Sequence, residues 1–182
     1  MISVADHVLS EKLNNIYFIW GRGKTTVAET LRARYGFYVY STDDACPRLM
    51  KKAAPSQQPY MCRDCLHEYG VTNIRALPSE KHSDWEHHVV AEMTPMILSE
   101  LVILGAQHQV VLCEGDIDYA AVMELDVHAV HLHQCGSHSG RGDGDTIPEW
   151  VHDFGIKSLG WTRGTSPMQM ADAVARYFGF AQ

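Results

Sequence analysis

The sequence lacks long apolar runs and is short of positive charge. No stretch approaches the roughly 18 consecutive apolar residues that a membrane-spanning helix needs. Lysine and arginine number 15 against 22 aspartates and glutamates, which gives a formal net charge of −7. A chain this acidic does not offer the broad basic surface that nucleic acids and anionic membranes bind. We therefore expect neither of them as a partner, and expect a small anionic ligand at a local basic site instead.

Cysteine is also too scarce, and odd in number, to indicate a disulfide framework. There are five cysteines, and residues 1–15 do not show the charged-then-apolar order of a secretion signal, so we expect a cytoplasmic protein with reduced thiols. Cys62 and Cys65 form one CxxC, followed by His67. A zinc site there needs two further ligands, for which the nearby candidates are His82, His87 and His88. A CxxC without a matching half is more often incidental than a metal site.

The spacing of apolar segments predicts one α/β domain with a mainly parallel, five-stranded sheet flanked by helices. With 182 residues, of which 46% are hydrophobic, the chain can bury a core. β-rich segments lie at 16–20, 37–40, 109–113, 126–133 and 156–161. A helix over 25–35, closed by Gly36, separates the first two segments. A strand, helix and strand of this length form a βαβ unit, whose two strands are parallel.

A long helix and a final helix are indicated in the second half of the chain. Apolar residues at intervals of three and four predict a helix from 83 or 84 to about 104, ended by Gly105. Pro95 is expected to kink or divide this helix, because proline has no N–H and clashes with the preceding turn. The final helix is marked by a capping box, which consists of Ser166, Pro167 and Gln169.

The most specific chemical pattern lies where the first strand meets the first helix. The residues of this turn and of the helix start are Gly21, Arg22, Gly23, Lys24, Thr25 and Thr26. Glycines let backbone N–H groups approach phosphate oxygens, a lysine reaches the β- and γ-phosphates, and a hydroxyl at a helix N-terminus binds Mg2+. The pattern predicts a nucleotide-binding turn in which Lys24 also serves catalysis and Thr25 is a metal ligand.

This phosphate-binding pattern is incomplete. The full motif GxxxxGK[ST] has a glycine five residues before the second glycine, and Phe18 stands at that position. If Gly21 opens the loop instead, one residue separates the glycines where four are expected, so the loop is three residues short. An ordinary glycine turn followed by a helix cap fits these residues about equally well.

Carboxylates follow the second and third predicted strands. Asp43 and Asp44 come after the second, and Glu114 comes after the third. Ligands of parallel sheets lie beyond the carboxyl ends of the strands, so these acids should share a crevice with the glycine turn. Asp43 or Asp44 is suited to accept a proton from a substrate hydroxyl or to help hold Mg2+, and equally to cap the next helix. Glu114 is suited to reach Mg2+ directly or through water.

The last candidate residues lie in and after the fourth strand. Alternation along that strand places His131 and His133 on one face, where we expect packed or surface histidines. The glycine-rich segment 134–145 contains Arg141, and Arg163 follows the fifth strand. Arginines in mobile lids stabilise the charge of a transferring phosphate, which makes both of them catalytic candidates.

Together these segments resemble the P-loop small-molecule kinases, a group that includes shikimate and gluconate kinases and chloramphenicol phosphotransferase, and the related zeta-toxin-like ATPases. More closely, the chain is similar to poorly characterised bacterial P-loop kinase-like proteins identified only as ATPases. The resemblance rests on residues 16–45, 92–101, 110–118 and 165–180. The chain departs from the group in its short loop and in a lid region without the usual arginine-rich helix.

The resemblance implies a three-layer P-loop NTPase fold of the mononucleotide-kinase type, with Mg-ATP at Gly23, Lys24 and Thr25. It further implies a substrate-side carboxylate at Asp43 or Asp44 and an acid near the metal at Glu114. Residues 45–83 would form a substrate-covering insertion within a single domain, 1–182, and 134–150 a reduced lid. The implied function is an ATP- and Mg2+-dependent phosphotransferase acting on a small hydroxyl-bearing acceptor. The alternative is a P-loop relative that binds nucleotide or a protein partner without phosphoryl transfer.

Overall fold

A five-stranded sheet lies at the centre of the computed structural model, which describes residues 13–50, 79–115, 117–125, 127–135 and 147–181. The strands are β1 (Ile16–Gly21), β2 (Tyr38–Ser41), β3 (Val111–Glu114), β4 (His128–Gln134) and β5 (Lys157–Trp161). The helices are α1 (Lys24–Tyr35), α2 (Thr42–Met50), α3 (Ser79–Gln107), α4 (Tyr119–Met123), α5 (Glu149–Asp153) and α6 (Pro167–Tyr177). Among these helices, none combines the length and the apolar character needed to cross a membrane.

The strands lie side by side in the order β2-β3-β1-β4-β5, and every pairing is parallel. The central strand β1 is paired on both sides, with β3 and with β4. Parallel strands are connected by helices that cover the sheet, so both faces of each strand are buried and the strand sequence is continuously apolar. β1 shows this pattern, since Phe18, Ile19 and Trp20 are all buried.

Helices cover both faces of the sheet and make a three-layer structure. On one face, Ile19 and Leu132 pack with buried residues of α1 and α6, among them Leu31 and Val174. On the other face, the buried strand residues include Ile16, Phe18, Trp20 and Val111, and they pack with α2, α3, α4 and α5. The predicted fold class is thus confirmed, including its parallel five-stranded sheet.

The predicted helix boundaries hold for α1 and α6. α1 ends at Tyr35, and the Gly36 N–H caps it by donating to the Arg32 carbonyl at 3.1 Å. At the start of α6, Ser166 Oγ accepts from the Gln169 N–H at 3.2 Å, and the Ser166 N–H donates to the Gln169 side chain at 2.8 Å. The capping box predicted from sequence is confirmed.

The prediction for the long helix was wrong in its limits, and of the two effects expected of Pro95, a kink or a division, the division does not occur. α3 starts at Ser79, continues through Pro95 without being divided, and includes Gly105 in its last turn. Met93 and Ile97, on either side of the proline, are both buried against the sheet. A proline inside a helix costs about 3 kcal/mol. Burial of these apolar side chains offsets that cost, so the helix continues.

Gly21 closes the end of β1 tightly against β4. Its φ is +90°, in the left-handed region that favours glycine. A Cβ placed on it would fall far inside van der Waals contact of the Leu132 carbonyl oxygen. Gly36 has a similar φ of +73°, but no atom lies near the place where its Cβ would be. The two glycines therefore share a positive φ and differ in the space available.

We expect Gly21→Ala to lower the free energy of unfolding by more than about 2 kcal/mol, because the substitution adds a backbone clash to the left-handed strain. Gly36→Ala is the matched control and should cost about 1 kcal/mol, the strain alone. Urea unfolding of both variants measures the difference. Equal losses in the two proteins would contradict the account of this turn.

Candidate functional site

The ends of the central strands bring the predicted residues to one edge of the sheet. In the parallel register, Glu114 at the end of β3 lies beside Ile19 of β1 on one side and Ser41 of β2 on the other. The glycine turn follows β1 directly, and α2 follows Ser41 directly. Glu114, the start of α1 and the start of α2 therefore share the carboxyl edge, where ligands of parallel sheets bind.

The contact at the middle of this edge joins Thr25 to Glu114. Thr25 Oγ1 donates to Glu114 Oε2 at 3.0 Å. Thr25 is the second residue of α1, and the Glu114 side chain is only 2% exposed. Burial of a carboxylate is costly unless hydrogen-bond donors or a cation compensate it, so this bond holds both groups in a defined place. The structure brings together the two residues that the sequence assigned to a metal.

The turn before α1 is tighter than a phosphate-binding loop. The Arg22 N–H donates to the Leu132 carbonyl of β4 at 3.0 Å, so it continues the β1–β4 ladder. The Arg22 carbonyl accepts from Trp161 Nε1, in β5, at 3.2 Å. Both backbone groups of Arg22 are thus used inside the protein, and its N–H does not point to a ligand. This tight turn follows from the spacing of Gly21 and Gly23, which only one residue separates.

Backbone N–H groups without a partner inside their own helix lie instead at the N-terminus of α1. Its cap residue is Gly23, which has a φ of +83° and no side chain to accept from the helix N–H groups. The first N–H groups of any helix have no partner within the helix, and the helix dipole makes this end attractive to anions. The Lys24 side chain is half-buried, and no hydrogen bond or ion pair of it is found within the described residues. Thr26 is exposed beside it.

Asp43 and Asp44 lie in the first turn of α2 and are both exposed. This position suits a helix-capping role, because acids stabilise a helix N-terminus, and it also leaves both carboxylates free to meet a substrate. Within the described part of the chain, neither carboxylate is bonded to Lys24 or Thr25. The two aspartates share the edge with the Thr25–Glu114 pair, and the described part of the chain shows no hydrogen bond between them and this pair.

A cavity that the sequence analysis missed opens beside the α1 N-terminus. It has a volume of about 110 Å³ and lies between the starts of α1 and α6 and the end of β5. Its lining residues are Gly23, Thr26, Val27, Trp161, Thr165, Ser166, Pro167 and Met170. The only signal in the sequence was a tryptophan at the end of a predicted strand. The link between that tryptophan and the glycine turn depends on the sheet order, which the sequence does not state.

The remaining candidates are exposed or lie outside the described residues. Arg163 is exposed in the turn that joins β5 to α6. Arg141, Cys62 and Cys65 lie outside the described residues, and so do most of the 45–83 insertion and of the 134–150 lid. The side chains of His82, His87 and His88 are not described either. Among the side chains that are described, no group of three or more His, Cys, Asp or Glu could hold a metal ion.

Comparisons with known proteins show no family for this chain. No protein-family model matches the chain, and no curated protein matches it. Among solved structures, it is similar to the unliganded crystal structure of a sugar kinase from Janibacter sp., with 12% sequence identity and a TM-score of 0.41. The similarity covers 92% of this chain and 96% of the sugar kinase. A likeness this low carries no argument about function, which must come from the site itself.

Proposed function

We propose that this protein binds a magnesium nucleotide at the N-terminus of α1 and transfers its terminal phosphoryl group to a small hydroxyl-bearing molecule. The observation that carries the proposal is the hydrogen bond between Thr25 and Glu114. A hydroxyl at the start of a helix and a buried carboxylate at the end of the neighbouring strand form the pair that organises Mg2+ in phosphate-transferring sites. Both groups are oxygen ligands, which a hard cation prefers.

The residues at the α1 N-terminus fit the phosphates of the nucleotide. Lys24 has no acid to neutralise it among the described residues, so its ammonium group is free to meet an anion. The N–H groups at the start of α1, which have no partner within the helix, would provide further donors in place of the Arg22 N–H, which is bonded to Leu132. When bound, Mg2+ supplies neutralisation of the charge that builds up on the transferring group.

The cavity beside the helix fits the base of the nucleotide. Trp161 offers an aromatic wall, and Val27 and Met170 provide further apolar lining. A planar base stacks on an aromatic ring and loses contact with water on doing so. Gly23 and Thr26 connect the cavity to the start of α1, so base and phosphates would lie next to each other.

The acceptor would bind on the side of α2. Asp43 or Asp44 is the general base in this proposal, because both are exposed at the carboxyl edge and can accept a proton from a hydroxyl. Arg163, and Arg141 in the lid, would stabilise the charge of the transferring phosphoryl group. Catalysis would then consist of positioning and charge neutralisation, with little covalent chemistry by the protein.

A second candidate function is nucleotide or partner binding without phosphoryl transfer. The observation in its favour is the bond from the Arg22 N–H to the Leu132 carbonyl, which removes a donor from the phosphate site. A site with fewer donors stabilises the transition state less than a full loop does. The same crevice could then serve recognition alone.

Lys24→Ala is expected to lower the rate of ATP turnover about a hundredfold or more with the fold intact, because it removes the cation that meets the phosphates. Lys157→Ala is the matched control and should leave the rate unchanged. Lys157 is an exposed lysine at the amino end of β5, whereas the proposed site lies at the carboxyl ends of the strands. A coupled assay for ADP, which forms whether the phosphoryl group goes to an acceptor or to water, measures both rates, and circular dichroism checks the fold.

An unchanged rate in Lys24→Ala would contradict the phosphotransferase proposal. The second candidate function predicts a different pattern. In that case, the wild-type protein binds a non-hydrolysable ATP analogue but turns ATP over no faster than the Lys24→Ala protein.

Trp161→Leu is expected to weaken binding of the ATP analogue about tenfold, because base stacking is worth about 1–3 kcal/mol. Binding of inorganic triphosphate, which has no base, should not change. Trp161→Phe keeps an aromatic wall but loses the Nε1–H that donates to Arg22, so it separates stacking from support of the turn. Calorimetry with both ligands measures the effects. Equal losses for analogue and triphosphate in Trp161→Leu would mean that the cavity does not hold the base.

A further inference from the structure

Four side chains on β4, on β5 and just after β4 form a continuous series of hydrogen-bond contacts, and none of them was assigned to the proposed nucleotide site. Cys135 Sγ lies 3.3 Å from His133 Nε2, and His133 Nδ1 lies 2.8 Å from Ser158 Oγ. Ser158 Oγ lies 3.4 Å from the Nδ1 atom of His131 and 3.5 Å from its carbonyl oxygen. Sequence alternation predicted that the two histidines share a face, and the structure confirms it. None of these four residues has a role in the proposed phosphoryl transfer.

The order of the contacts favours one arrangement of protons. If His133 Nδ1–H donates to Ser158 Oγ, the Ser158 hydroxyl can donate in turn to Nδ1 or the carbonyl of His131. The remaining nitrogen of His133, Nε2, then carries a lone pair and faces the Cys135 thiol. Burial lowers the pKa of His131 below its usual value, and the neighbouring His133 lowers it further, which favours a neutral acceptor at that end of the series. A thiol, a base and a third group that orients the base are the parts of an activated nucleophile.

Because Gly160 has no side chain, the Cys135 thiol and the His133 imidazole have space to contact each other beside it. A Cβ on this residue would lie 2.6 Å from Cys135 Sγ and 2.8 Å from His133 Nε2. Any other residue at this position of β5 would therefore push the sulfur and the ring out of place. The backbone also fixes the cysteine, because the Cys135 N–H donates to the Trp161 carbonyl at 2.7 Å and extends the pairing of β4 with β5.

We propose that Cys135 is a reactive thiol that is modified by small-molecule disulfides, with His133 as its base. Cys135 is exposed, so a small disulfide can reach the sulfur, whereas Cys113 in β3 is buried. Exposure and a neighbouring proton acceptor are the two features that distinguish reactive cysteines from structural ones.

The modification is a thiol–disulfide exchange. His133 Nε2 takes the thiol proton, and Cys135 Sγ attacks one sulfur of the disulfide. A new S–S bond forms as the original one breaks, and the second sulfur leaves as a thiolate. Cys135 is oxidised and the leaving sulfur is reduced, so the disulfide itself is the oxidant. The proton passes from His133 to the leaving thiolate or to water.

The test is the rate at which Cys135 of the full-length chain reacts with 5,5′-dithiobis(2-nitrobenzoate), an aromatic disulfide. Acid quenching at timed intervals and mass spectrometry of the peptide that contains Cys135 separate it from the other four cysteines. In the folded protein, Cys135 should react faster than in the urea-unfolded chain, after correction for the effect of urea on free cysteine. His133→Gln should slow the folded protein about tenfold or more, because the base is lost.

Gly160→Ala is the more specific test, because it keeps both the thiol and the imidazole and changes the distance between them. It should slow the reaction in the same way as His133→Gln, and Ser158→Ala should slow it less, by releasing the ring. His152→Gln removes an exposed histidine of α5 and should leave the rate unchanged. Circular dichroism and urea unfolding check that each variant folds.

Two results would overturn the proposal. One is a folded wild-type protein in which Cys135 reacts no faster than in the unfolded chain. The other is a wild-type rate in His133→Gln, and this test holds even if Gly160→Ala fails to fold. Neither result bears on the nucleotide site, whose residues are not changed in these variants.

Discussion

The hydrogen bond from the Arg22 N–H to the Leu132 carbonyl is the constraint on which the site depends. It continues the β1–β4 ladder one residue past Gly21, whose missing side chain lets the two strands approach. The chain then has only Gly23 in which to turn before α1 begins at Lys24. This short path places Thr25 within hydrogen-bond distance of Glu114. A longer loop would leave more N–H groups free and would start the helix farther from the strand ends.

The short turn changes how an anion could be held. In a full phosphate-binding loop, successive backbone N–H groups surround the phosphate. Here the donors that remain are those at the start of α1 together with the Lys24 side chain, and Trp161 holds the turn from the other side through the Arg22 carbonyl. Such a site concentrates positive potential at one helix end, where the dipole adds to the charge of the lysine. In the proposed function, the apolar cavity against Trp161 would give the nucleotide a second point of contact.

Much of the fold could be predicted from sequence, because strand and cap signals are local. The five strands, the Gly36 cap and the capping box at Ser166 follow from residues adjacent in the chain. The helix through Pro95 could not be predicted, since burial against the sheet decided it and local preference opposed it. The approach of Thr25 to Glu114 was expected from strand ends that meet. The bond from the Arg22 N–H to β4 and the side-chain contacts from Cys135 to His131 could not be predicted, because they depend on which strands are neighbours.

In the proposed function, Thr25 and Glu114 form a magnesium site for a bound nucleotide. The most direct measurement is calorimetric titration of a non-hydrolysable ATP analogue with and without Mg2+, in the wild-type protein, in Thr25→Val and in the exposed neighbour variant Thr26→Val. We expect Mg2+ to strengthen binding about tenfold or more in the wild type and in Thr26→Val, and to have little effect in Thr25→Val, which lacks the hydroxyl ligand. The same magnesium dependence in all three proteins, or no binding by the wild type, would contradict the proposed site.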